Sequence, residues 1–474
     1  MPRLPGTSGY VEMLLARVMG DKGLEKRLLG IVRRIVRSGI RALGAPYAPY
    51  LAGKLALRLS GRGKGHTPNM PVRFQRILLL RLDGIGDVVL NASLIRELRR
   101  FFPQSWITLV VQPQVYKLVE LCPYVNEVLT CGGAMSRYFY PIQAQWRAVR
   151  LVWRHLWGRR FDLALVPRWG ADSSGAPFAA YYSGATWRVG YSERSNALRQ
   201  AANRGYDRLF THVLLDSALK HEVEHNLDVL RFLGGQVSSP ALELWLSRED
   251  EQWAEEALGG REARSEGLLI AFGFGASSRH RSWPAANFVQ LARRLNAKAD
   301  CRFVLLGGAG QEAEGDEIQH GLDREALSLA GKTTLRQAAA LLKRCDLFIG
   351  SDSALMHLAA AAGKPVVMIS CHPASGDPYH TNSPEFFRPW TESYHVCQPA
   401  APIPPCKGGC GSRDPHCILG VTVDQVESAA TALLASLPCS GNHTAQSADS
   451  GPALRPAQPK SPRLACPQGC EGRE

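Results

Sequence analysis

Two carboxylates, Asp83 and Asp87, flank a glycine-spaced turn in the stretch RLDGIGDVVL. A carboxylate there can take a proton from a substrate hydroxyl. It can equally cap a helix, and Asp87 stands where an N-cap belongs. A second group lies in FGFGASSRHRSWP, where Ser277 and Ser278 precede Arg279, His280 and Arg281. Hydroxyls beside guanidinium groups suit a phosphate, and a basic loop capped by serines is the plain alternative. A third is GSDSALMHLAAAAGKP. Asp352 and Ser353 open a helix, whose free N–H groups favour an anion. His357 falls on the side of Ser353 by i,i+4 spacing, where a purely structural histidine is also at home. The fourth, CQPAAPIPPCKGGCGSRDPHC, holds Cys397, Cys406, Cys410, His416 and Cys417. Its C-x3-C-x6-C spacing is not a standard zinc pattern, so it reads as a structured loop and no metal is expected.

The elements around these groups follow from hydrophobic period. ILLL with Leu82 is short enough for a buried strand. From Val88 on, Leu90, Leu94, Ile95 and Leu98 share a helical face, with Arg96, Glu97, Arg99 and Arg100 expected to face out. Gly84 and Gly86 sit between strand and helix, where a ligand can approach the backbone. The pair lacks the third glycine of a dinucleotide fingerprint, and the second strand, ITLVVQ, ends in Gln112 where a dehydrogenase needs an acid. Strands continue at VNEVLTC, FDLALVP and TWRVGY. A helix, HEVEHNLDVLRFLGG, is closed by Gly234 and Gly235. A second series begins at GLLIAFGFG and runs through CRFVLLGG, DLFIG and KPVVMIS, with helices between. Short apolar strands alternating with helices mean parallel sheets, so two doubly wound α/β domains in tandem are expected. Their ligands should lie beyond the carboxyl ends of the strands. The expected boundaries are 1–72 for a basic leader and linker, 73–245 and 246–437 for the two Rossmann-like domains, and 438–474 for a disordered tail.

A hydrophobic content of 45% and a charged content of 21% over 474 residues are those of a soluble globular protein. No run of apolar residues is long enough to span a bilayer. The scattered cysteines Cys122, Cys131, Cys301, Cys345 and Cys371 read as buried free thiols of a reducing compartment. Of the net charge of +14, residues 1–76 hold fifteen Lys and Arg against three acids, so almost the whole excess belongs to the leader. Its segment LEKRLLGIVRRIVRSGIRAL places Leu24, Leu28, Ile31 and Ile35 on one face among arginines. A basic amphipathic helix of this kind suits an anionic membrane surface, and a helix packed on the body is the alternative.

Taken in order, these motifs resemble the ADP-heptose:lipopolysaccharide heptosyltransferases, glycosyltransferase family nine. The opening from Ile77 is similar to that family's strand, R-x-S-x-I-G-D-V loop and helix. GASSRHRSWP is similar to its G-A-S…K/R-x-W-P segment, and FIGSDSALMHLAAAAGKPVV to its G-x-D-S-G-x-x-H block. PPCKGGCGSRDPHC resembles its cysteine-containing loop, and order and spacing match over roughly residues 74–436. The resemblance implies a GT-B architecture, with the acceptor bound mainly by the first domain and the nucleotide-sugar by the second. It implies an inverting, metal-independent transfer of heptose from an ADP-heptose donor to a lipid-linked glycan, the lipopolysaccharide inner core. Asp87 would be the general base, with Asp83, Gly84 and Gly86 completing the acceptor-side loop. Ser277, Ser278, Arg281, Ser353, Ala354 and His357 would bind the donor. Glu312 would hold the adenosine ribose and Asp352 would contact the donor. Ala354 replaces the family's usual Gly, and Asp83 its Ser or Thr. The expected protein is a cytoplasmic monomer, peripheral on the inner membrane face, with no cofactor and no nucleic-acid partner. A same-fold transferase for another nucleotide-sugar and glycan, or a non-catalytic nucleotide-binding protein, stays open beside it.

Overall fold

The computed structural model describes residues 73–132, 140–260, 267–322 and 326–437. The expected basic leader and disordered tail lie outside the described residues. Within them run two six-stranded sheets. The first comprises β1 (Arg76–Arg81), β2 (Trp106–Val111), β3 (Glu127–Thr130), β4 (Leu163–Val166), β5 (Trp187–Tyr191) and β6 (His212–Leu214). The second comprises β7 (Leu268–Gly273), β8 (Cys301–Leu306), β9 (Ala326–Ser328), β10 (Leu347–Ser351), β11 (Val366–Ile369) and β12 (Tyr394–Cys397). Their orders are β3-β2-β1-β4-β5-β6 and β12-β11-β10-β7-β8-β9, every pair parallel. The order of strands reverses between β1 and β4 in the first and between β7 and β10 in the second. Ligands of doubly wound sheets sit at such switch points.

Both faces of each sheet are covered, which is why the strands read as unbroken apolar runs. Ile77 and Leu79 of β1 face one cluster, Leu78 and Leu80 the other. In the second sheet Ala271, Val304 and Met368 face the cluster that already holds Ile77 and Leu79, whereas Phe272, Phe303 and Val367 face away. The inner layers of the two sheets therefore form one continuous core.

One helix departs from the expectation. The segment after β1 is split into Ile85–Val89 and Ala92–Phe101, and Arg96 and Glu97 are buried, not outward. The chain leaving the first sheet lies over them. Arg96 donates to the carbonyls of Ser239 and Ala241 and to Glu243, and Glu97 accepts from the Ser238 N–H. A helical period reports which side is apolar and cannot report that a distant segment covers the polar side. The closing glycines behave as read: Gly234 has φ +84° and Gly235 N–H bonds the Leu230 carbonyl at 3.0 Å.

The sheets are also locked through histidines. His221 caps the helix Glu222–Phe232 by accepting the Val223 N–H at Nδ1, and its Nε2 donates to the Arg388 carbonyl at 2.9 Å. Those two bonds require the neutral ring. Burial pushes its pKa down to about 3, and that of His225, stacked 4.5 Å from Trp169, down to about 4. Folded values below the ordinary 6.5 mean that only the unfolded chain takes protons as pH falls. The stability is thus fully present above pH 6.5 and drains towards the folded values, at about 1.4 kcal/mol per pH unit for each ring. Thermal unfolding should therefore show a falling Tm between pH 6.5 and 4.5, with a shallower fall in His221→Gln. An unchanged slope in the variant removes His221 as a cause.

Candidate active site

The first half of the site grows from the switch point of the first sheet. Arg81, the last residue of β1, is fully buried and lies 3.2 Å from Asp83, 2.5 Å from Glu222 and 3.6 Å from Asp87. Arg168, just past β4, reaches Asp83 at 3.1 Å and Asp87 at 3.4 Å. Behind it the buried Arg199 donates to the carbonyls of Arg168, Gly170 and Tyr191, which fixes the strand-end loop. Three carboxylates thus share two guanidinium groups, leaving one formal negative charge over.

That excess is distributed unevenly. Burial raises the Asp87 carboxyl, but Arg168, Arg81 and the Gly84 N–H outweigh it, and the group ends below its ordinary value. In Asp83 burial prevails over Arg168 and Arg81, and in Glu222 over Arg81, so both end above theirs. Asp87 is the carboxylate held ionised. Its place differs by one turn of reading. Gly84 is the N-cap, and Asp87, three residues on, accepts the Gly84 N–H at 3.0 Å. The carboxylate spends one oxygen on the helix end and keeps about a fifth of its side chain exposed.

The second half grows from the second sheet. Arg281, in the turn Arg279–Arg281 after β7, donates to Asp352 at 3.3 Å and to the Ser277 hydroxyl. Asp352 follows β10, so the two switch-point loops are tied by this pair. Ser353 is the N-cap of the helix Ala354–Ala361 but makes no cap bond, and its hydroxyl is buried without a partner among the described residues. The first-turn N–H groups there, from Ala354 onward, are accordingly left for another acceptor. Ser278 caps the Arg279–Arg281 turn by position only.

His357 joins the halves. It lies on the helix Ala354–Ala361, buried, and feels the charges of Asp352, Asp87 and Arg281. Burial nevertheless holds its pKa below the ordinary value, so the ring is neutral. Its Nδ1 has no partner among the described residues. The ring packs on the backbone of Gly86, where an added Cβ would stand 2.7 Å from His357 Cδ2. Gly86 is needed for this approach, not for a left-handed φ.

Glu312 sits to one side. It opens the helix Glu312–Gly321 after β8, exposed, accepting the Gly310 N–H at 3.1 Å. Its neighbour Gln311 accepts the Gly308 N–H at 2.7 Å and donates to the Ala276 carbonyl at 3.4 Å, linking it to the loop of Ser277 and Arg281. The structure thus brings together Asp83, Gly84, Gly86, Asp87, Arg281, Asp352 and His357, with Ser277 and Ser353 beside them. It adds Arg81, Arg168 and Glu222, which the motif reading passed over. An arginine ending an apolar strand, and an arginine directly after FDLALVP, were the available signals.

Two carboxylates at one switch point, an arginine–aspartate pair at the other and an anion-accepting helix start between them can move a proton and hold a diphosphate. The family model for glycosyltransferase family 9 (heptosyltransferase) matches residues 149–410, more than half of the chain. The chain belongs to glycosyltransferase family 9. It is similar to lipopolysaccharide heptosyltransferase 2 of Salmonella typhimurium, 26% identical over 332 residues, 68% of this chain and 87% of that one. Lipooligosaccharide heptosyltransferase 2 of Haemophilus ducreyi is 24% identical over 64% of this chain and 85% of its own. Among solved structures, a glycosyl transferase family 9 protein of Veillonella parvula superposes with a TM-score of 0.60 at 21% identity, covering 78% of this chain and 99% of its own. The ADP-heptose LPS heptosyltransferase II of E. coli does so at 0.55 and 22%, covering 76% and 99%. The family 9 fold is GT-B, and the chain is a glycosyltransferase.

Proposed function

We propose that this family 9 enzyme moves a heptose from an ADP-heptose donor to a lipopolysaccharide inner-core acceptor, inverting the anomeric carbon. The names of its relatives support the sugar and the acceptor class. The observation that carries the mechanism is the packing of His357 on Gly86, next to Asp87 of the first sheet, on the helix that begins beside the Arg281–Asp352 pair of the second. As the acceptor oxygen bonds to the anomeric carbon, the bond from that carbon to the diphosphate breaks and its electron pair leaves with ADP. Asp87 takes the acceptor proton. Arg281, the Ser277 and Ser278 hydroxyls, and the N–H groups at Ser353 and Ala354 receive the charge on the leaving diphosphate. Glu312, opening the helix after β8, would hold the ribose, as the family resemblance implies. Arg81 and Arg168 keep Asp87 ionised and aimed. Saturation binding should rank ADP-heptose above ADP-glucose and above UDP- and GDP-sugars. Preference for a UDP- or GDP-sugar would leave a transferase of another donor.

The same reading puts the enzyme on the inner face of the cytoplasmic membrane as a peripheral protein. No helix among the described residues is long and apolar enough to cross a membrane. Besides the leader's charge, an outward stripe supports attachment. Trp146, Trp153 and Trp157 are 42%, 43% and 51% exposed, spaced along Tyr140–Leu151 and its continuation, with Arg150, Arg154 and Arg160 exposed among them. Indole rings and guanidinium groups together suit an anionic headgroup layer. Deleting residues 1–70 and replacing the three tryptophans by Ala should together release the protein from anionic vesicles. Undiminished sedimentation with the vesicles sinks the assignment.

A further inference from the structure

The cysteine loop is the motif that the transfer chemistry does not use. We propose that Cys406, Cys410, His416 and Cys417 form a closed tetrahedral site for one divalent transition metal, zinc being the ion that suits three thiolates and an imidazole best. Their ligand atoms all lie within 4.8 Å of one another. His416 Nδ1 stands 3.5 Å from Cys406 Sγ and 3.5 Å from Cys417 Sγ. A tetrahedron with metal–sulfur bonds of about 2.3 Å and a metal–nitrogen bond of about 2.0–2.1 Å has a nitrogen–sulfur edge of about 3.5 Å. Two edges of that figure are thus already at their length, and the remaining ligand atoms lie close enough to complete it.

Spacing alone hid this. The run C-x3-C-x6-C misses the common patterns because the third ligand is His416, adjacent to the fourth, Cys417. All four come from one stretch, so its own fold must converge them. Cys410 and Cys417 are buried against the second sheet's outer cluster with Phe274, Trp283 and Cys371. Between β12 and the turn Cys417–Gly420 the only β-bridge among the described residues is Lys407–Gly409, beside a few backbone hydrogen bonds to the 374–377 loop. A connection of such length without secondary structure is uncommon in a compact body, and a cross-link would fix it. All three cysteines are free thiols, so a disulfide does not supply it. The other grouping of potential ligands, Asp216, His225 and Asp228, already holds a cation, since Lys220 Nζ lies 2.7 and 2.8 Å from the two carboxylates.

Four protein ligands leave no open position, which makes the site structural. Its place gives it a job. The Trp283 indole donates to the Val421 carbonyl at 2.9 Å, and Asp414 lies 3.9 Å from Arg279. The clipped loop thereby backs the Arg279–Trp283 segment that presents Arg281.

Full-length protein purified without chelator should carry about one zinc, or another divalent transition metal, per chain by elemental analysis. The double variant Cys406→Ser/Cys410→Ser should retain less than a tenth of that, and Cys345→Ser, buried elsewhere, all of it. A misfolded double variant would lose metal for another reason, so wild-type protein stripped under reducing conditions is also titrated with Co2+. Intense d–d bands of a tetrahedral thiolate site, saturating at one equivalent, are expected. Metal-free protein as purified that develops no such bands overturns the proposal.

Discussion

Asp87→Asn should keep the enzyme folded and able to bind ADP while lowering turnover at least about a hundredfold. The amide oxygen of asparagine can still accept the Gly84 N–H, so the helix end survives. The change also removes the one surplus negative charge of the cluster, leaving Asp83 and Glu222 against Arg81 and Arg168. Melting temperature should therefore move little, although an ion pair at 3.4 Å is lost. What asparagine cannot do is take a proton. A carboxylate held below its ordinary value is a weak base, but the acceptor hydroxyl turns strongly acidic once its oxygen begins to bond to the anomeric carbon. A weak, fully ionised base then suffices.

Asp83 is the rival, and pH separates the two. The Asp87 carboxyl lies below the ordinary 3.8, so protonation reaches it only under more acidic conditions than a free carboxylate needs. The Asp83 carboxyl lies above that value. If Asp87 is the base, kcat/KM should hold from pH 8 down to 5 on its account, with any acid limb below 3.8. Asp83→Asn should then cost much less turnover. A limb well above 3.8 in the native enzyme, with Asp83→Asn dead and Asp87→Asn turning over normally, makes Asp83 the base.

The parts of this site that were legible in the sequence are those carried by strand ends. β1, β2, β4, β7, β8, β10 and β11 are buried on both faces, and their apolar runs mark where the loops bearing Asp87, Arg281 and Asp352 must begin. The strands β6, β9 and β12 were passed over because they are three or four residues long and lie at sheet edges, half clothed in polar side chains. The partners of Asp87 were illegible for a different reason. Arg81 and Glu222 are 141 residues apart and Arg168 and Asp87 are 81 apart, so no local period couples them. Arg96 and Glu97 failed in the opposite sense, since their local pattern was polar and only the overlying chain from Ser238 to Glu243 turned it inward. His357 shows what spacing does carry: its side of the helix was right, but its contact with Gly86 across the two sheets was not in the sequence to be read.

Arg281→Ala should weaken ADP binding by about 1.5–3 kcal/mol, roughly tenfold to a hundredfold in Kd. The upper end is expected, because of Asp352. Its carboxylate is buried with Arg281 as a partner at 3.3 Å. Once the guanidinium is gone, an uncompensated negative charge faces the incoming diphosphate, and repulsion adds to the lost hydrogen bonds. Asp352→Asn in the same chain should relieve that repulsion, so the double variant should bind ADP more tightly than Arg281→Ala alone. This separates two roles for Asp352. If it only positions Arg281, Asp352→Asn should change ADP and ADP-heptose affinity by the same factor. If it also contacts the sugar, ADP-heptose should lose more affinity than ADP. Calorimetry on the three variants with both ligands reads every term. ADP affinity untouched by Arg281→Ala would return the Arg279–Arg281 turn to an ordinary basic loop, and the diphosphate would have to rest on the helix start at Ser353 alone.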